Sequence, residues 1–69
     1  MTNLSPEETA RVIELAMHVA REGMTQELIG FVDHGLPLDV QDPDGNTPLM
    51  LAAYHGHAST VQELIRRGA

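Results

Sequence analysis

Three arrangements of side chains in this sequence have the residue types of a chemical site. The first is His55-Gly56-His57, two of the chain's four histidines, close enough to suggest a metal ion. Zinc ligands must converge on one point, and residues two apart across a glycine turn do not share a helix face. No cysteine is present to complete the set. The second is the acidic turn Asp42, Asp44 and Asn46, which has the oxygen donors of a calcium loop. Aligning Gly45 with that loop's obligatory glycine puts Val40 at its first position and Leu51 at its last, where carboxylates are required. The turn therefore reads as structural. The third is Ser59, His57 and Asp44, the combination that offers a nucleophile, a base and an orienting acid. Ser59 lacks the strained Gly-x-Ser-x-Gly elbow and fits a helix start instead. A His-based metal or hydrolytic site is the remote alternative, and the expectation is a chain that is not an enzyme and takes no cofactor or metal.

Any such residues must be positioned by a very small scaffold. Sixty-nine residues allow one small domain. A core of that size supplies roughly 3–5 kcal/mol, and there is no disulfide to add to it. Ten carboxylates stand against four arginines and no lysine, for a net charge of −6. That balance repels a phosphate backbone and excludes nucleic acid as the expected partner, while it favours encounter with basic protein surfaces. Phe31 and Tyr54 are the only aromatic residues, too few for a stacking platform. Residues 1–9 are polar and acidic, without the basic start and apolar run of a secretion signal. No stretch approaches the roughly 20 apolar residues of a membrane span. The composition predicts a soluble, cytoplasmic chain.

The scaffold is repetitive. A shift of 33 residues superposes Met17 on Met50, Ala20 on Ala53, Gly23 on Gly56 and Gly35 on Gly68. The same shift sets Val19 on Ala52, Leu28 on Val61, Phe31 on Leu64 and Val32 on Ile65. Within each unit the apolar spacing is helical: Leu28, Phe31 and Val32 follow i, i+3, i+4, and Val61, Leu64 and Ile65 repeat it. Ile13, Ala16, Met17 and Ala20 form a stripe that Val12, Leu15 and Val19 widen, so this helix is expected to pack on more than one side. Ser5, Pro6 and Glu8 form a helix start with a capping box, and Thr47-Pro48 starts a later helix. Gly23, Gly35, Gly56 and Gly68 fall at helix ends, and Arg66 and Arg67 at the negative end of the last one. The spacing predicts helices over about 6–22, 25–34, 48–55 and 58–67, joined in the middle by an extended segment that turns at Pro43-Asp44-Gly45. Nothing reads as a strand of ordinary length.

Asp44-Gly45-Asn46-Thr47-Pro48-Leu49-Met50-Leu51-Ala52-Ala53, followed by Gly56-His57 and by Val61 to Ala69, resembles the ankyrin repeat. That family also has a 33-residue unit with a Thr-Pro-Leu-His-x-Ala signature. The match covers about 42–69. Residues 4–41 keep Ala20, Gly23 and Gly35 but lack Thr-Pro-Leu, and their long capped helix resembles an N-terminal capping repeat. The resemblance implies an all-α fold of about two helix-turn-helix units, four helices in all, joined by an extended β-turn loop. Residues 1–69 are then a single ankyrin-repeat domain or a fragment of one. Met50 replaces the family's histidine, which links to the threonine hydroxyl and neighbouring backbone; a thioether cannot make that network, whereas the capping role of Thr47 does not depend on it. His57 falls on the family's histidine after glycine and is expected to bond backbone. His18 and His34 read as surface positions.

What the resemblance implies about function is recognition of another protein, as a module or scaffold. In such stacks the partner meets turn tips and inner helices. By motif position those are Pro43, Asp44 and Asn46 at the turn and Tyr54 and His55 at the inner helix end, with Arg21 and Glu22 as their counterparts before Gly23. Asp42 and Asp44 would steer a basic partner. Tyr54 is foremost, because the scaffold does not dictate that position and tyrosine is enriched among interface anchors. A second expectation concerns the final helix: Val61, Leu64 and Ile65 have no following unit in this sequence, so either the chain is a fragment of a longer stack or another copy covers them as a homo-oligomer.

Overall fold

A computed structural model describes residues 4–69. Four helices follow in order: α1 (Pro6–Arg21), α2 (Thr25–Asp33), α3 (Pro48–Tyr54) and α4 (Ala58–Arg66). No strand occurs among the described residues. The fold is all-α, as two helix pairs.

The start of α1 is set by reciprocal bonds. The Glu8 backbone N–H donates to the Ser5 hydroxyl at 3.2 Å, and the Ser5 N–H donates to the Glu8 carboxylate at 3.0 Å. Pro6 occupies the first turn, where its missing N–H has no partner to lose. The Ser5 backbone bond also holds the Glu8 carboxyl below its ordinary range. At α3 the Thr47 hydroxyl accepts the Met50 N–H at 3.2 Å. Met50 does more than the sequence predicts: its sulfur lies 3.3 Å from the Thr47 N–H, a weak acceptor where α1 uses a carboxylate.

Each predicted helix ends one residue beyond the observed one, at Glu22, His34, His55 and Arg67. These caps have φ near −90° and ψ near 0°, helical in appearance but already turning, and a glycine follows each of them. The register of the prediction is otherwise that of the structure.

Within each pair the helices pack antiparallel across a tight turn, α1 on α2 and α3 on α4, while α1 also packs on α3 and α2 on α4. Ala16, Ala20 and Ala52 are fully buried, which permits close approach of the backbones. The core joins Ala16, Met17, Val19 and Ala20 of α1 to Leu28, Leu36, Leu51 and Leu64. Leu15 departs from expectation: it is exposed, because α1 has a neighbouring unit on one side only. On that outer side His18 and Glu27, both exposed, stand where the 33-residue register has the buried Leu51 and Thr60 of the second unit. Ionisable side chains thus stand, exposed to water, at positions that are apolar or hydrogen-bonded in the second unit.

Candidate interaction surface

The central turn is built on Asp42. Its Oδ1 accepts the Asp44 N–H at 2.9 Å and the Asn46 N–H at 2.8 Å, and its Oδ2 accepts the Asn46 side-chain amide at 3.3 Å. Two backbone bonds close the loop, Gly45 N–H to the Asp42 carbonyl and Asp42 N–H to the Asn46 carbonyl, each 2.9 Å. The bond from Asn46 depresses the Asp42 carboxyl, with Arg21 adding a smaller attraction. Among the residues expected to meet a partner, Pro43 and Asp44 are exposed at the tip, whereas Asn46 is half-buried with its amide spent on Asp42. Asn46 thus shapes the tip more than it displays itself.

At the other end of α3, Tyr54 is 85% exposed and meets the His55 ring edge-on, with centroids 5.1 Å apart. The His55 and His57 rings lie 6.4 Å apart and nearly parallel. The structure separates the roles of the two imidazoles. His55 is exposed, while the Nε2–H of His57 donates to the Arg21 carbonyl at 2.6 Å, tying the second unit to the end of α1. A carbonyl only accepts, so the proton on that ring nitrogen is fixed by its partner. His34 is engaged more locally, with Nδ1 donating to the Gly30 carbonyl at 2.8 Å. Arg21 is half-buried and Glu22 exposed.

The tested chemistries do not assemble. Among the described residues no three His, Cys, Asp or Glu side chains are grouped to hold a metal ion. Ser59 is exposed at the start of α4, and no side-chain hydrogen bond among the described residues joins it to His57, whose Nε2–H goes to the Arg21 carbonyl, or to Asp44.

Two inter-unit contacts escaped the sequence reading. The buried Thr60 hydroxyl meets Thr25 Oγ1 at 2.6 Å, and Arg67 pairs with Asp33 of α2 as well as with Glu63 at 3.4 Å. The Asp33 bond raises the Arg67 pKa further above its already high value. Neither pair has local spacing, so no window of sequence reveals it. Leu64 is a correction: expected on an open face, it is 1% exposed because its side of α4 turns into the shared core. Val61 is half-buried, and Ile65, 56% exposed, carries that face instead. No helix among the described residues is long and apolar enough to cross a membrane.

Comparison with known proteins agrees with this geometry. The ankyrin repeat family model matches residues 44–69. A Pseudomonas aeruginosa protein named as an ankyrin repeat protein is 40% identical over 55 residues, which cover 80% of this chain and 32% of that one. Human oxysterol-binding protein-related protein 1 is 45% identical over 58 residues, 81% of this chain and 6% of its own length. Acyl-CoA-binding domain-containing protein 1 of Arabidopsis thaliana is 34% identical over 55 residues, 78% of this chain and 16% of its own. The chain therefore spans a third or less of the relatives it matches. No solved structure matches it. With the Thr47-Pro48 start, the 33-residue register and paired helices all in place, the chain belongs to the ankyrin repeat family.

Proposed function

We propose that this chain is a non-catalytic protein-binding module whose partner meets the turn tip and the exposed end of α3. Tyr54 carries the reading. A tyrosine this exposed contributes nothing to the core, and covering it would bury a large amphipathic side chain at small entropic cost. Pro43 and Asp44 offer a rigid, acidic tip, His55 flanks Tyr54, and Arg21 and Glu22 extend the strip onto the first unit. A net charge of −6 favours a partner with a basic surface and raises its encounter rate. The test compares capture of native partners by the wild-type chain with capture by Tyr54→Ala combined with Asp44→Ala, Gln62→Ala serving as the control. The double variant should lose capture with its helicity intact; capture equal to wild type would remove this surface from consideration.

A second reading, self-association, is favoured by a separate observation. Met50 and Ala53 are exposed, whereas their counterparts Met17 and Ala20 are buried between the units. Ile65 is likewise more open than its counterpart Val32. The far side of the second unit thus displays the side chains that the internal contact covers. The outer side of the first unit carries His18 and Glu27, so copies would meet through their second units, related by a two-fold axis.

A further inference from the structure

Helix α1 is 16 residues long and α3 only seven. In the 33-residue register Ala10 falls on Pro43 and Ile13 on Asn46, so the first turns of α1 stand where the second unit has its turn. A helix wall therefore faces the Asp42 turn across a groove of about 500 Å³. Its helical side presents Ala10, Ile13, Glu14, Met17 and Arg21, spaced i, i+3, i+4, i+7 and i+11 on one face. Those eleven steps run roughly 16 Å at 1.5 Å per residue, room for about five residues of extended chain.

The floor of the groove is apolar. Ala10 is open to solvent, Ile13 is half-buried, and Met17 closes the bottom. Its flanks are acidic: Glu14 lines one side, Glu7 lies two turns earlier on the same face, and Asp42 lies opposite. Arg21 lines it too, one turn beyond Met17, and exerts a small attraction on Asp42 without forming an ion pair with it. Among the described residues, ion pairs engage only Glu63 and Asp33, at the other helices, and leave Glu7 and Glu14 with none.

We propose that this groove takes an extended segment of a partner protein in which an apolar side chain is flanked by lysine or arginine. The apolar side chain seats on Ile13 and Met17, where it leaves water, and the flanking cations face Glu14 and Asp42. An acidic segment of the same shape meets like charges on both walls. The proposal rests on the protein-binding reading and adds the chemistry of the partner.

The probes are three capped heptapeptides, alternating lysine with leucine, glutamate with leucine, and lysine with serine, each titrated into the 69-residue chain and followed by NMR amide shifts. The lysine–leucine peptide should perturb residues 10–21 together with Gln41 and Asp42, and bind more weakly as salt is raised. Glu14→Lys should weaken it about tenfold, and Ala10→Trp, which fills the groove from an exposed helix position, should abolish it while circular dichroism stays unchanged. Equal binding of the glutamate–leucine or lysine–serine peptide, shifts centred elsewhere, or no binding would overturn the proposal. The two readings separate cleanly. Loss of native capture in the Tyr54 variant with an empty groove overturns the groove alone; peptide binding at the groove with capture indifferent to Tyr54 overturns the Tyr54 surface alone.

Discussion

Gly23 and Gly56 do the same local work and differ in what stands over them. Both take positive φ, +71° and +77°, to turn the chain between paired helices. Over Gly23 lies the ring of His57: a Cβ there would sit 2.5 Å from Nδ1, and the same ring donates to the Arg21 carbonyl. Over Gly56 there is nothing within 4 Å. Gly56→Ala should therefore cost only the left-handed conformation, about 1–2 kcal/mol. Gly23→Ala should cost that and on the order of 1–3 kcal/mol more, because the ring must move. Denaturant unfolding of both variants, repeated with His57→Ala, reads the difference, which should vanish when the ring is gone. Equal costs in the presence of His57 would disprove the lock. The glycines were legible from the period, but the ring that covers one of them comes from 36 residues beyond its acceptor Arg21, a distance no local pattern spans.

At the scale of elements, the helices are specified locally and the turn by one carboxylate. Ser5, Pro6 and Glu8 mark the start of α1, and Thr47 and Pro48 that of α3, because capping partners are three residues apart in any chain that caps. Three of the turn's bonds converge on the Asp42 carboxylate. Its folded pKa is depressed, so the stability it contributes is present above the unfolded aspartate value, about 3.9, and is lost as pH falls through the lower folded value. Hydrogen exchange at the Asn46 amide should accelerate over that acid range beyond its intrinsic rate, and should be fast at neutral pH in Asp42→Asn. Asp44→Asn is the control, since the Asp44 side chain accepts none of these bonds. Constant Asn46 protection through the acid range would show that the backbone bonds hold the turn alone. The sequence marked Asp42, Asp44 and Asn46 as one acidic group; only the fold distinguishes Asp42 as holder, Asn46 as held, and Asp44 as displayed.

For the molecule as a whole, the two ends are chemically unlike. Charged and titratable residues, His18 and Glu27, stand on the outer side of the first unit, while Met50, Ala53 and Ile65 are exposed on the outer side of the second. Exposed apolar side chains gathered on one side are what a contact between copies would use. If copies meet through that side, sedimentation of the 69-residue chain should show a dimer that grows with concentration, and Ile65→Glu should return it to monomer with helicity retained. A folded monomer throughout the micromolar range would rule this contact out. Of the three residues expected on that open face, Ile65 is exposed, Val61 is half-buried and Leu64 is buried. Val61, Leu64 and Ile65 share one helical stretch, yet a turn of 100° per residue sends Leu64 into the core and Ile65 into water.

By itself the sequence determined what repeats and what is local: four helices, their caps, the turn, and membership of a family, because capping, periodicity and glycine ends act within a few residues or recur at a fixed register. Tertiary structure decided what depends on juxtaposition. It placed His57 over Gly23, joined Thr25 to Thr60 and Asp33 to Arg67, and opened a groove where a helix replaces a turn. It also gave His57 a structural part, since a ring whose Nε2–H is bonded to the distant Arg21 carbonyl is a strut between units, a role that only the packed pair of units assigns.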